Sequence, residues 1–436
     1  MYFLYSVCYT LAFIIAFPYF LVRGIWQKKY FSNFWQRLGW LSIPGNNLKG
    51  GIWIHAVSVG EFLAIIPLVR ALRARWPMRP LFVSTATQTG QTLARKRIGN
   101  LATTLYFPFD WRFCVKRALA KIHPEAVLIT ETEIWPNFLR ECFRYRIPTL
   151  LVNGRISDRS VRRYQWVLPL IRRVLGYFSS LCMQTETDRQ RILTLGAPPE
   201  RTEVCGNLKY DLKPAGEAGQ LAAFYRILLN LPEDALVMVA GSTMKHEEEL
   251  VLLAFDHLRR SHPAATLILA PRHPERFNDV QQLLASRPVT FAKRSDLTGG
   301  QSATPVQIWL LDSIGELAAT YAVADIVFVG GSLVPSGGHN ILEPALFKKP
   351  ILFGPYMDNF KEVASCFLSR QAALQVKSPE ELAARVLELA ENPSLRQTIG
   401  ENGFQILLAN AGATDLILHR VESVLESEPT GTHWEM

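Results

Sequence analysis

Hydrophobic positions along the 436 residues of this chain fall into three patterns. The first 22 residues carry no charged side chain, and the first charge is Arg23. As a helix rising about 1.5 Å per residue, they match the roughly 30 Å hydrocarbon core of a bilayer. Short continuous apolar runs then alternate with longer helical patterns. Runs at 52–57, 81–85, 104–108, 126–130, 148–153 and 181–184 predict strands, each bounded by Gly, Pro or Asn. Several are continuous rather than alternating, the mark of strands buried on both faces. The pattern pauses over 206–219, which holds Pro214, Gly216 and Gly219, and restarts with strands at 236–240, 266–270, 306–311, 326–330 and 350–353. From Pro379 onward the chain reads as helical. Strand–helix alternation builds parallel sheets from βαβ units. The expected fold is therefore α/β, with two facing Rossmann-like domains at 23–206 and 233–390, a hinge at 207–232, an anchor at 1–22 and C-terminal helices at 391–436. Two doubly wound domains hold ligands in the cleft at the carboxyl ends of their strands.

A secretory signal would need positive charge ahead of its apolar core and a small-residue cleavage site after it, and neither is present. A buried core helix is the remaining soluble alternative, but uncharged helices of this length are uncommon at the end of a domain. A membrane anchor is expected, and Pro18 leaves both a full span and a half-inserted helix open. Arg23, Lys28, Lys29 and Arg37 follow at once, which places the large domains on the cytoplasmic side of the membrane.

Composition adds less. A hydrophobic fraction of 49% suffices for two sizeable cores, and a net charge of +9 favours an acidic partner: anionic lipid, a phosphorylated substrate or nucleic acid. The six cysteines form no C-x-x-C pair, so neither a zinc site nor a disulfide framework is indicated. No D-x-D pair demands a divalent ion, and no metal or cofactor is expected. The absence of G-x-S-x-G and H-E-x-x-H lowers hydrolase and metalloprotease readings.

Four turns after strands carry candidate chemistry. In Trp53-Ile54-His55-Ala56-Val57-Ser58-Val59-Gly60-Glu61, a strand gives way to a helix opened by Glu61. A carboxylate there complements the helix dipole, or faces the cleft as a general base. His55, inside the strand, reads as a packed core histidine. Gly241-Ser242-Thr243 after the strand at 236–240 is either an N-cap or a backbone cradle for phosphate. Pro271-Arg272-His273 puts an arginine, a good phosphate partner, directly after a buried strand. Gly330-Gly331-Ser332-Leu333 and Gly337-Gly338-His339-Asn340-Ile341-Leu342-Glu343 bracket a loop where backbone can approach a ligand. Asn340 and Glu343 have capping-box spacing, yet Glu343 also suits the two hydroxyls of a ribose. A fifth feature is basic: Arg155, Arg159, Arg162, Arg163, Arg172 and Arg173, interleaved with Trp166 and aliphatic residues, suit an anionic membrane surface or a phosphorylated lipid. Nucleic acid is disfavoured by the modest charge and aromatic density.

Together these segments resemble the 3-deoxy-D-manno-octulosonic acid (Kdo) transferases of lipid A assembly. Further matching segments are Glu131-Thr132-Glu133-Ile134-Trp135-Pro136, Cys205-Gly206-Asn207-Leu208-Lys209 and Gly315-Glu316. The resemblance implies the GT-B fold of glycosyltransferases, a CMP-Kdo donor and a tetraacylated lipid A precursor (lipid IVA) as acceptor. It implies Glu61 as proton acceptor, with Glu131 and Lys209 stabilising the transition state. It assigns CMP binding to Pro271 and Arg272, to Ile314, Gly315 and Glu316, and to Asn340, Ile341, Leu342 and Glu343, with Ser242 nearby. Another GT-B enzyme using a UDP-sugar, or a non-catalytic membrane-bound scaffold, are the alternatives.

Overall fold

The computed structural model describes residues 1–27, 33–41, 43, 50–212, 216–232, 234–297 and 305–427. Lys28, Lys29 and Pro214, used in the sequence reading, lie outside these residues. The chain divides into two compact units, Met1–Asp211 with Asn410–Met436, and Leu212–Ala409.

The first unit holds strands β1 (Ile52–His55), β2 (Leu81–Thr85), β3 (Thr103–Tyr106), β4 (Ala126–Thr130), β5 (Thr149–Gly154), β6 (Ser180–Met183) and β7 (Thr202–Val204). They form one parallel sheet in the order β3-β2-β1-β4-β5-β6-β7. Successive side chains of a strand point to opposite faces, and both faces are covered here. Trp53, Val127, Ile129 and Leu151 enter one core cluster, while Ile52, Ile54, Leu128, Leu150 and Val152 enter another. Burial on both sides is why these strands read as unbroken apolar runs.

The second unit holds β8 (Val237–Thr243), β9 (Thr266–Pro271), β10 (Phe291–Lys293), β11 (Ile308–Leu310), β12 (Ile326–Val329), β13 (Ile351–Phe353) and β14 (Leu374–Gln375). Its parallel order is β10-β11-β9-β8-β12-β13-β14. The strand order turns back between β1 and β4 in the first sheet and between β8 and β12 in the second. These switch points are where an open α/β sheet leaves a crevice beyond its carboxyl edge.

The N-terminal helix corrects the spanning reading. It runs Tyr2–Gln27, but among the described residues no helix is long and apolar enough to cross a membrane. One side of the helix carries a polar stripe at helical spacing. Tyr5 Oη donates to Asp110 at 2.8 Å, the Trp111 indole N–H donates to Thr10 Oγ1 at 2.9 Å, and the Asn137 amide donates to Ser6 Oγ at 3.1 Å. Phe13 meets Trp111 and Phe109 edge-on at 4.7 and 5.3 Å. One face of the helix thus docks on the first unit. The opposite face leaves Phe3, Leu4, Leu11, Ile14 and Ile15 exposed.

The C-terminal helices are shared between the units. Pro393–Asn410 lies almost wholly in the second unit, whereas Ala413–Ser427 buries Ile417 and Val421 in the first unit's core. The Asp211 carboxylate receives the Gly412 N–H at 2.7 Å and also the Thr414 N–H, pinning the returning chain.

Candidate active site

At the first unit's switch point, Ser58 caps the helix Val59–Arg75 and Glu61 completes a capping box. Glu61 is only 8% exposed. Its Oε2 accepts from Val57 N at 2.9 Å and from Thr130 Oγ1, at the end of β4, at 3.0 Å; its Oε1 accepts from Ser58 N at 3.3 Å. The capping reading of Glu61 is the one these bonds show. The cap aims the carboxylate, and the reversal of strand order sets it where β1 and β4 diverge. His55 is the packed histidine that its place in the strand implied. It is fully buried, its ring stacks 3.6 Å from Phe107, and burial pulls its pKa down to about 3, so it is neutral.

Glu131 follows β4 directly, in the left-handed region at φ 53°, with its N–H on the Val152 carbonyl at 3.0 Å. A bulky residue held there costs on the order of 1–3 kcal/mol and persists only where neighbours enforce it. Two residues on stands Glu133, which the sequence reading left without a role. Burial first, then the charges of Glu61 and Glu131, push its pKa up to about 7. Three carboxyl groups thus share one neighbourhood. Because the folded value lies above the unfolded one, this group's stabilising contribution is complete below about pH 4.5 and lost as pH rises through about 7. Glu133→Gln is expected to flatten the fall in thermal midpoint between pH 5 and 8; an unchanged pH profile would show that Glu133 does not titrate there.

Lys209 sits in the single turn Leu208–Tyr210, tied to the same edge of the sheet. The Leu208 N–H donates to Asn153 Oδ1 at 3.0 Å, and the Asn207 amide donates to Gln184 Oε1 at 2.9 Å, at the ends of β5 and β6.

In the second unit, the turn expected after residue 240 is corrected. Strand β8 continues through Gly241, Ser242 and Thr243, because Gly241 pairs with Val329 and Thr243 with Pro271 across a bulge. Ser242 adopts φ 58° within that bulge, and the helix Glu247–Ser261 starts later, with His246 at its N-cap position. Ser242 is therefore neither an N-cap nor part of a helix-terminal cradle. Gly241 has a packing role, since a Cβ there would lie 2.2 Å from the buried Tyr321 hydroxyl.

Arg272 leaves β9 with its N–H on the Thr243 carbonyl at 2.9 Å and its side chain exposed. His339 is held down to about 4, by burial first and then by Arg272 and His273. Asn340 and Glu343 do not form a capping box. Asn340 Oδ1 instead accepts from Leu342 N at 3.1 Å, and its amide donates to Glu343 Oε1 at 3.2 Å, orienting that carboxylate. Ile341, Leu342 and Pro271 are buried. Ile314 is exposed, Gly315 is left-handed at φ 99°, and Glu316 pairs with Arg294 at 2.9 Å. The basic stretch forms two short helices, Asp158–Gln165 and Leu168–Leu175, with Trp166 between them 90% exposed.

Residues 32–212 match the family model described as 3-deoxy-D-manno-octulosonic-acid transferase (kdotransferase). The 3-deoxy-D-manno-octulosonic acid transferase of Haemophilus influenzae is 34% identical over 96% of this chain and 98% of its own. The chain belongs to the Kdo transferase family. The Bordetella pertussis transferase is 30% identical over 87% of this chain and 88% of its own, and that of Chlamydia pneumoniae 28% identical over 97% and 96%. This Kdo transferase is thus a glycosyltransferase enzyme. Two solved structures share its fold and support the GT-B class. They are UDP-GlcNAc 2-epimerase from Neisseria meningitidis (14% identical, TM-score 0.55, 86% of this chain and 100% of that one) and a Rickettsia africae glycosyltransferase (13%, TM-score 0.52, 88% and 100%).

Sequence reasoning missed Thr130, Glu133, Glu247, Glu248 and Arg276. The doubled Glu-Thr-Glu at 131–133 was a visible signal for Glu133. For the others, the partners lie too far along the chain to be read locally.

Proposed function

We propose that this transferase moves Kdo from CMP-Kdo to a tetraacylated lipid A precursor with inversion, Glu61 acting as general base. The observation that carries the proposal is the Glu61 carboxylate, shielded from bulk water and aimed by the Val57 and Ser58 N–H groups and Thr130 Oγ1 at the switch point of its sheet. A sugar hydroxyl is a weak acid, so its proton must leave as the oxygen attacks the anomeric carbon. Direct attack opposite the departing CMP inverts that carbon. The phosphate of CMP gains charge as its bond breaks, and Lys209, with Glu131 shaping the site, stabilises it. On the second unit Arg272 pairs with the phosphate and Glu343 takes the ribose hydroxyls. Pro271, Ile314, Gly315, Glu316, Asn340, Ile341 and Leu342 complete the CMP site, with Ser242 beside them. No cofactor enters this scheme.

The enzyme is proposed to work at the cytoplasmic face of the inner membrane. Support comes from the outer face of the N-terminal helix and from Trp166 amid its arginines. A helix with one apolar face lies in the interface, and cations beside it meet anionic headgroups. Leu4→Glu with Ile15→Glu is expected to release the protein from anionic vesicles in a sedimentation assay; undiminished binding would refute this attachment.

Mass spectrometry of a reaction containing CMP-Kdo, lipid IVA and purified protein tests the activity directly. A mass gain of one or more Kdo units is expected, and an unmodified acceptor would overturn the proposal. Calorimetry adds the nucleotide: preference for UDP over CMP would point to a UDP-sugar donor. Arg272→Ala is expected to weaken CMP binding by about 1.5–3 kcal/mol, the worth of a charge-assisted hydrogen bond. An unchanged dissociation constant would place Arg272 outside the site.

A further inference from the structure

Acidic residues in a first helical turn usually face water and complement the dipole. The helix Glu247–Ser261 departs from this, because Glu247 and Glu248 are both fully buried. Glu247 Oε2 accepts from Met244 N at 2.9 Å and Gly331 N at 2.6 Å, and Oε1 accepts from Ser332 N at 2.9 Å and Leu333 N at 2.8 Å. Three successive N–H groups of the glycine segment thus converge on one internal carboxylate. An array of this kind commonly receives a ligand anion. Here the protein fills it with its own side chain, so those N–H groups are already taken when a donor arrives.

Glu248 does the same for a second loop. Its carboxylate receives the fork of Arg276 at 2.5 and 3.1 Å and the Thr243 hydroxyl at 3.0 Å. Arg276 ends the short turn that follows Arg272 and His273. Adjacent glutamates therefore grip the glycine segment that leads to Asn340–Glu343 and the turn that follows Arg272. The grip on the glycine segment extends further. Gly338 N donates to the Gly331 carbonyl at 2.8 Å, Gly354 N donates to Ser332 Oγ at 2.8 Å, and Tyr356 N donates to the Ser332 carbonyl at 2.9 Å. A shift at 331–333 is thereby passed to Gly338 and the Asn340–Glu343 pair two residues beyond it.

We propose that Glu247 is a positioning residue for donor binding, holding the glycine segment so that Asn340 and Glu343 meet the nucleotide, with Glu248 fixing the Arg272 turn through Arg276. This rests on the assignment of CMP-Kdo to the second unit. Glu247→Gln keeps the shape but turns an NH2 group toward N–H donors. It should raise both the KM for CMP-Kdo and the calorimetric Kd for CMP about tenfold or more, with kcat and the lipid acceptor KM within about threefold. Glu247→Asp, which keeps the charge, should recover part of the loss. Should Glu247→Gln fail to fold, Arg276→Lys decides: it retains charge but loses the fork, and the same rise in CMP Kd is expected. Unchanged CMP affinity and donor KM, or a fall confined to kcat, would overturn the proposal. A wild-type protein that does not bind CMP would instead refute the functional assignment.

Discussion

Glu61→Gln is expected to slow Kdo transfer by about 10²–10⁴-fold, the usual contribution of a positioned general base. Glutamine also serves at the third position of a capping box, so the helix Val59–Arg75 should keep its start. The amide cannot take a proton from the acceptor hydroxyl. CMP affinity should stay as in the wild type, because the proposed nucleotide residues lie on the second unit. The two readouts together identify the defect: a collapsed kcat with intact calorimetric CMP binding. Turnover near the wild-type rate would remove Glu61 from the chemistry.

Phe138→Ala is expected to cost the first unit about 3–5 kcal/mol, the range for deleting a large buried aromatic. Phe138 is fully buried in the helix Pro136–Arg144. Its ring meets Trp53 of β1 edge-on at 5.2 Å and lies 4.8 Å from Phe107, on which His55 stacks. The backbone at this helix start would survive, since the Asp110 carboxylate still receives the N–H groups of residues 137 and 138 at 3.0 and 2.8 Å. The loss should therefore be one of packing, read as a lower denaturant midpoint for the tryptophan signal, with activity loss following the unfolded fraction. A change below about 1 kcal/mol would mean that the cluster collapses around the gap.

The strands beside the switch points were legible because burial on both faces writes a continuous apolar run. The edge strand β3 was predicted at 104–108, but the other three edge strands were not. Thr202–Val204, Phe291–Lys293 and Leu374–Gln375 have two or three residues each and include polar side chains, as edges exposed to water do. The N-terminal helix was legible as a helix but not in its docking. Tyr5, Ser6, Tyr9 and Thr10 recur at helical spacing, and that stripe decides which face meets protein. The end of β8 was misread because small residues after a strand resemble a turn, whereas pairing to β12 and β9 carries the strand through Thr243.

The sequence by itself determined the two parallel sheets, the family, and which carboxylates and arginines follow strands. Each of these rests on residues near one another in the chain, where apolar periodicity and motif spacing operate. Only the tertiary structure decided that Glu61 shares a hydrogen bond with Thr130, that burial and neighbouring carboxylates push the pKa of Glu133 up to about 7, and that Glu247 accepts from residues 331–333. Such facts depend on desolvation and on donors that arrive 69 to 86 positions away. Strand order sets them together, and no local pattern encodes it.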